Sequence, residues 1–335
     1  MSSVTSATGS RTPVIVPEQR ACADEGVGMA LKRTLLWVLS FLVVVSLIDA
    51  SGAEARTRRH HRRVRSRPAV IRQYGWLESR SAIVLDAETG EALYEREPDA
   101  HMYPASTTKV LTAILAIESG HMNDIVTVQR SDTQVQPSSV GLRPGERLTL
   151  RELVYCLLLR SGNDAALAIA RHVGGSREGF RTMMNDKAHD IGCTGSNFQN
   201  PHGLPDRNHY TTARDLGRIM VYAMKNAEFR RITGTQRFVS RSSVKTRVLL
   251  NKNRLLRMYP GATGGKPGYT NAAQQTLVAA AKRSDRELVV VCLHSCGRAL
   301  WSDAAHLLDF GFRRVGLGGP GGLPGSAGTA PNPAP

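Results

Sequence analysis

The segment Pro104-Ala-Ser-Thr-Thr-Lys-Val-Leu-Thr-Ala-Ile-Leu-Ala-Ile-Glu-Ser-Gly120 constrains the fold of this chain more than any other. From Val110 to Ile117 nearly every residue is apolar, so the helix it predicts has no face to offer water and must lie inside a domain. Gly120 is placed to stop that helix, and Pro104 ends whatever precedes it. Two polar groups stand at the mouth of the apolar run. Ser106 and Lys109 are three residues apart, which puts them on one helical face within hydrogen-bond reach, in a first turn whose unpaired N–H groups favour developing negative charge. A serine hydroxyl attacks poorly until a neighbour takes its proton, and a lysine kept dry beside other cations loses its own proton near neutral pH. The same spacing also suits a capping serine beside a solvated lysine, so partners elsewhere in the chain must decide.

With 335 residues and 41% hydrophobic content, the chain can bury one large core or two modest ones. Its net charge of +16 implies an anionic neighbour: nucleic acid, phospholipid or an anionic wall polymer. Export decides among these. Leu35 to Ile48 (LLWVLSFLVVVSLI) is a compact apolar run preceded by Lys32-Arg33 and followed by Ala50-Ser-Gly-Ala-Glu-Ala55, the pattern of a secretory signal. It falls short of the roughly 20 residues a membrane span needs, with an uncleaved anchor as the alternative. Cleavage is expected after Ala55, with Gly52 as the rival, and Met29 is the expected start because residues 1–28 make an awkwardly long n-region. Losing residues 1–55 removes four basic and five acidic side chains and leaves +17, so the basicity belongs to the exported product. Residues 56–67 (RTRRHHRRVRSR) carry seven arginines and two histidines. They predict a disordered basic arm, extending to residue 75, that lies on anionic lipid or wall polymer rather than nucleic acid, or else a solvated linker. The expected location is the periplasm or cell envelope.

Cys22 leaves with the leader, and Cys156, Cys193, Cys292 and Cys296 are expected to be mostly free, buried thiols. Cys156 sits in an apolar helical run, and a C-x3-C pair within one segment is poor disulfide geometry. Neither C-x2-C pairs nor H-E-x-x-H spacing occurs, so no metal or other cofactor is expected.

Along the chain, Ser81–Asp86 and Ala92–Glu97 flank Ala-Glu-Thr-Gly and predict a hairpin. Short strands are expected near Ile125–Val128 and Arg147–Leu148 within a loop-rich stretch. Leu150–Leu159 and Asp164–Val173 read as two buried helices joined by Arg160-Ser-Gly-Asn163. Asn163 there is a helix N-cap or an amide for substrate and lysine, and Ser161 offers a hydroxyl for proton relay. A helix near Glu178–Ile191 is followed by the turn Asn200-Pro-His-Gly-Leu-Pro205, then by a helix opening in His209–Leu216. His202 invites a Ser-His-Asp reading, which is set aside because Lys109 already offers Ser106 a base. Lys266, among the glycines of Gly264-Gly-Lys-Pro-Gly268, reads as an exposed cation on a strand whose backbone approaches something closely. Two apolar strands, Thr276–Ala281 and Glu287–Leu293, an amphipathic helix Leu300–Phe310 and a Gly/Pro/Ala tail over 316–335 complete the chain.

Ser106-Thr-Thr-Lys109, Ser161-Gly-Asn163 and Lys266-Pro-Gly268 occur in the order and approximate spacing of three boxes, S-x-x-K, S-x-N and K-T-G. Over about residues 76–315 the chain thereby resembles the serine-type D-alanyl-D-alanine carboxypeptidases, the low-molecular-mass penicillin-binding proteins. Asn200-Pro-His-Gly-Leu204 and Tyr210-Thr-Thr-Ala-Arg-Asp215 also look like that family. The resemblance implies an α/β (α+β) fold of DD-peptidase and β-lactamase type, an antiparallel five-stranded sheet flanked by helices with a mostly helical subdomain. It further implies that Ser106 attacks the bond between the last two D-alanines of a peptidoglycan stem peptide with Lys109 as base. Ser161 and Asn163 would relay the proton and hold the substrate, and Lys266 would attract the terminal carboxylate and keep Lys109 neutral. Gly268 and Tyr269 would bind substrate, and the backbone N–H groups of Ser106 and Tyr269 would form an oxyanion hole worth about 3–4 kcal/mol per donor. β-Lactams would inhibit by acylating Ser106. Pro267 departs from the family, which places Thr or Ser there, so a hydroxyl and a strand N–H are missing and weakened acylation is expected. The alternatives are crosslink endopeptidase, β-lactamase and a catalytically weak penicillin-binding wall module. A β-lactamase would need E-x-x-x-N after the second box, and Glu178 is followed four places on by Thr182.

Overall fold

A computed structural model describes residues 77–318. The expected leader and basic arm, and all but the start of the tail, lie outside the described residues. The expected hairpin forms from β1 (Ser81–Asp86) and β2 (Ala92–Arg96), paired antiparallel. β1 also pairs with β9 (Arg286–Ser295), which pairs with β8 (Gln274–Arg283), which pairs with β7 (Ala262–Thr270). The result is an antiparallel five-stranded sheet in the order β2-β1-β9-β8-β7, with the Lys266 strand on one edge.

Both faces of this sheet are covered, which explains why β8 and β9 read as nearly continuous apolar runs instead of alternating. Leu277, Ala279, Ala281, Leu288, Val290 and Cys292 point to one side. There they pack with Leu300, Leu307, Leu308 and Phe312 of the closing helix, α9 (Ala299–Arg314). Val278, Ala280, Val289 and Val291 point to the other side and join the core of the helical region. α1 (Lys109–Glu118) runs through that region with every residue from Lys109 to Ile117 buried, as its all-round apolarity requires, and the chain leaves it at Gly120 with φ +79°. Around it stand α3 (Leu150–Arg160), α4 (Asn163–Gly174), α5 (Arg177–Asp190), α6 (Ala213–Met224) and α7 (Ala227–Gly234). The short helices α2 (Arg130–Thr133) and α8 (Leu255–Met258) complete the described set.

The predicted short strands pair as β3 (Ile125–Thr127) and β4 (Arg147–Thr149). A second small hairpin, β5 (Arg237–Arg241) with β6 (Thr246–Leu250), lies against α3. Cys156, Cys193 and Cys292 are free and buried, as expected, whereas Cys296 is disulfide-bonded and departs from that expectation. Asn163 does not cap its helix: Gly162 takes the N-cap position, and Asn163 is the first helical residue.

Candidate active site

Ser106 lies one step outside the position its spacing predicts. It belongs to a tight 3-10 turn, Ala105–Thr108, and α1 begins at Lys109. Pro104 and Thr107 stitch that turn, the Thr107 hydroxyl donating to Pro104 O at 2.7 Å, and Thr276 Oγ of β8 donates to the same carbonyl at 3.1 Å. The turn is thereby tied to the sheet as well as to its own helix.

Lys109 is completely buried, and its Nζ has three neighbours: Ser106 Oγ at 3.0 Å, Asn163 Oδ1 at 2.7 Å and the His202 carbonyl oxygen at 2.6 Å. The Asn163 amide is oriented by its Nδ2, which donates to Gln136 O at 2.8 Å and leaves Oδ1 toward the lysine. Burial first, then the charges of Lys266 and Lys252, hold the Lys109 ammonium far below the ordinary lysine range. Two of its neighbours, the amide oxygen and the peptide carbonyl, can only accept. A neutral amine therefore spends both N–H bonds on them and turns its lone pair to the Ser106 hydroxyl. That arrangement makes Lys109 a proton acceptor 3.0 Å from a nucleophile.

Lys266 corrects the reading of an exposed strand cation. It is fully buried, donating from Nζ to Ser161 Oγ at 3.0 Å and to Pro267 O at 2.8 Å. Burial, and then the Lys252 charge, push its pKa down to about 7. Ser161 holds its position through a left-handed backbone, φ 66° and ψ 33°, at the end of α3. The three boxes thus converge on two linked amines: Lys109 with Ser106 and Asn163, and Lys266 with Ser161.

Gly268 allows β7 to close on the nucleophile, since a Cβ there would stand 2.7 Å from Ser106 N and 2.5 Å from Thr276 Oγ. Tyr269 is 55% exposed, with its hydroxyl donating to Asn271 Oδ1 at 3.2 Å.

Two contributors escaped the sequence reading. His202 acts through its backbone carbonyl on Lys109, while its ring Nδ1 accepts from Leu204 N at 3.2 Å and burial drives its imidazole down to about 3. A backbone role leaves no mark on side-chain chemistry. The turn that carries it is drawn by its Asn, as Asn200 Oδ1 accepts from Gly203 N at 2.7 Å and from His202 N at 3.3 Å. Lys252 is the other. It donates to Ser138 Oγ at 2.9 Å, and Ser138 O in turn accepts from Asn163 N at 2.7 Å, which sets a third cation at the rim. Glu178, the carboxylate nearest the β-lactamase spacing, is exposed on α5 beside Arg177 and Arg181.

The family model for D-alanyl-D-alanine carboxypeptidase (peptidase S11) matches residues 69–296. The chain belongs to the S11 peptidases. Among curated relatives, the D-alanyl-D-alanine carboxypeptidase DacB2 of Mycobacterium tuberculosis is 39% identical over 236 residues, covering 69% of this chain and 81% of its own. A crystal structure of a Mycobacterium tuberculosis D-alanyl-D-alanine carboxypeptidase superposes with TM-score 0.68 at 37% identity, over 71% of this chain and 92% of the other. A Streptomyces DD-transpeptidase variant superposes with TM-score 0.69 at 30% identity, over 71% and 98%. This S11 enzyme is a serine-type D-alanyl-D-alanine carboxypeptidase with the α+β fold those structures share, as the three boxes led one to expect.

Proposed function

We propose that Ser106 is the acylated nucleophile and Lys109 its base, acting on the terminal D-alanyl-D-alanine of peptidoglycan stem peptides in the cell envelope. The Ser106 O–H proton passes to Lys109 Nζ as Oγ bonds to the carbonyl carbon between the two D-alanines. The tetrahedral intermediate collapses with cleavage of the C–N bond, and the departing amine takes a proton relayed from Lys109 through Ser161. Water then gives a proton to Lys109 and attacks the acyl carbon, and Ser106 leaves with its hydrogen restored. Asn163 steadies Lys109 and holds the substrate amide. Lys266 draws the terminal carboxylate, with Gly268 and Tyr269 lining its strand and the N–H groups of Ser106 and Tyr269 receiving the oxyanion. A β-lactam carries the same reactive carbonyl and carboxylate and stalls the enzyme at the ester stage.

The observation that carries this reading is the Lys109 amine held at 3.0 Å from Ser106 Oγ by two partners that can only accept. D-alanine release from a stem pentapeptide, together with covalent labelling by a fluorescent penicillin, tests it. Wild type performs both and Ser106→Ala neither; release by Ser106→Ala at the wild-type rate defeats the proposal. The basic arm Arg56–Arg67 is proposed to hold the exported enzyme to anionic lipid or wall polymer, with about 1 kcal/mol available per basic residue near a charged membrane. Unchanged retention on anionic vesicles after deletion of 56–67 removes that part.

A further inference from the structure

The β5–β6 hairpin has two faces of opposite character. On the inner face Phe238 stacks on Tyr155 with ring centroids 3.6 Å apart. Ser240 Oγ and Arg241 N both donate to Glu152 Oε1, at 3.1 and 2.8 Å. Arg247 pairs with buried Glu146 and donates to the carbonyls of Val140 and Gly141 at 3.1 and 2.8 Å. Every charge on that side is matched.

Among the described residues the outer face has no such partners. Its register sets Arg237 opposite Leu250, Val239 opposite Val248 and Arg241 opposite Thr246. Val248 is 53% and Leu250 51% exposed, and Val244 in the connecting turn is 49% exposed. These are three of the five large hydrophobic residues exposed among the described residues. Arg237, Arg241 and Lys245 are exposed beside them, and residues 237–250 contain no Asp or Glu.

We propose that this outer face docks on an anionic phospholipid surface, with Val244, Val248 and Leu250 entering the interface and Arg237, Arg241 and Lys245 meeting the headgroups. An apolar row rimmed by cations is what such an interface rewards. A polyanionic wall polymer would match the cations but offer nothing to the aliphatic side chains. A second copy packed about a two-fold axis would bring the arginines against their own kind. The docked face adjoins the catalytic cleft, because β6 runs in two residues to Lys252 at the Ser138 rim. Binding therefore holds the cleft beside the membrane surface.

The test is co-sedimentation of the exported chain, residue 56 onward, with vesicles of phosphatidylcholine alone or mixed with phosphatidylglycerol. The wild type, Arg237→Gln with Arg241→Gln, Val248→Ser with Leu250→Ser, and a 56–67 deletion are compared. Wild type pellets only with the mixed vesicles. The arginine pair weakens partition about 30-fold at about 1 kcal/mol per charge, and the aliphatic pair at least about tenfold. All four proteins release D-alanine from a soluble pentapeptide alike, which shows that the fold is intact. Partition unchanged in both double variants overturns the proposal, as does an effect confined to the deletion or to the arginine pair. Wild-type dimers that the aliphatic pair dissociates would assign the face to a second copy instead.

Discussion

At the scale of single residues, two buried lysines divide the work by protonation state. Lys109 must be neutral to accept the Ser106 proton, and Lys266 must be charged to draw a carboxylate. Burial and the Lys252 charge lower the proton affinity of both, and Lys266 lowers that of Lys109 further, but only Lys109 has two obligate acceptors and a hydroxyl to receive its lone pair. In the free enzyme, kcat/KM is therefore expected to rise with pH as Lys109 deprotonates and to fall above about 7 as Lys266 loses its charge. Lys266→Arg keeps the cation at all working pH values, so its alkaline limb should move upward even if its maximum is lower. A pH profile of D-alanine release checks this, and an alkaline limb that stays in place rules Lys266 out as its source. Pro267 supplies the second prediction. It sits on edge strand β7, where a sheet tolerates a residue without an N–H, but it withholds a hydroxyl and a donor next to Lys266. Pro267→Thr should raise the rate of penicillin acylation measured by stopped flow, and an unchanged rate would mean that the strand compensates.

At the scale of elements, the catalytic turn depends on the loop packed behind it. Gly203 has φ +85°, and a Cβ added there would fall 1.8 Å from the Ala105 carbonyl oxygen, beside the nucleophile. Gly203→Ala is expected to lose about 3 kcal/mol in urea unfolding through this clash and strained backbone. Acylation by the folded fraction should fall about a hundredfold as Ser106 is displaced. Wild-type acylation in a destabilised variant would separate the turn's structural role from its catalytic one. This contact shows where sequence reading stops. Ser106, Lys109, Asn163, Ser161 and Lys266 are legible because their chemistry is in their side chains and their spacing is local. The His202 carbonyl and the Ala105–Gly203 approach are not, since they arise from backbone brought together across about a hundred residues. Lys266 was misread as exposed for a related reason: glycines flank it, and only the arrival of Ser161 from α3 buries it. The β5–β6 hairpin was obscured because Arg247 interrupts the inward apolar row, and its partner Glu146 lies in a distant loop. The large strands and buried helices were readable because a run apolar on every side has only one destination.

At the scale of the molecule, the site is maintained against the stability of the domain. A sheet covered on both faces and a helix without a polar side form a dry interior, and two lysines are held inside it. Desolvation is the largest influence on both, so the fold bears an electrostatic cost wherever they are charged. Lys266→Met should accordingly raise resistance to urea near pH 6 while abolishing turnover, a trade of function against stability. The sign with pH follows from proton linkage. Below about 7 Lys266 is protonated in both folded and unfolded chains, so the cost is present in full. Between about 7 and the ordinary lysine value of 10.5 the unfolded chain binds a proton that the folded chain does not, and wild-type stability climbs relative to the variant. The advantage of Lys266→Met should thus be greatest near pH 6 and shrink steadily toward pH 10, with the difference between the two proteins cancelling titrations they share. Urea midpoints for both across that range decide it. A constant difference would mean that Lys266 titrates alike in both states and that its burial does not tax the fold.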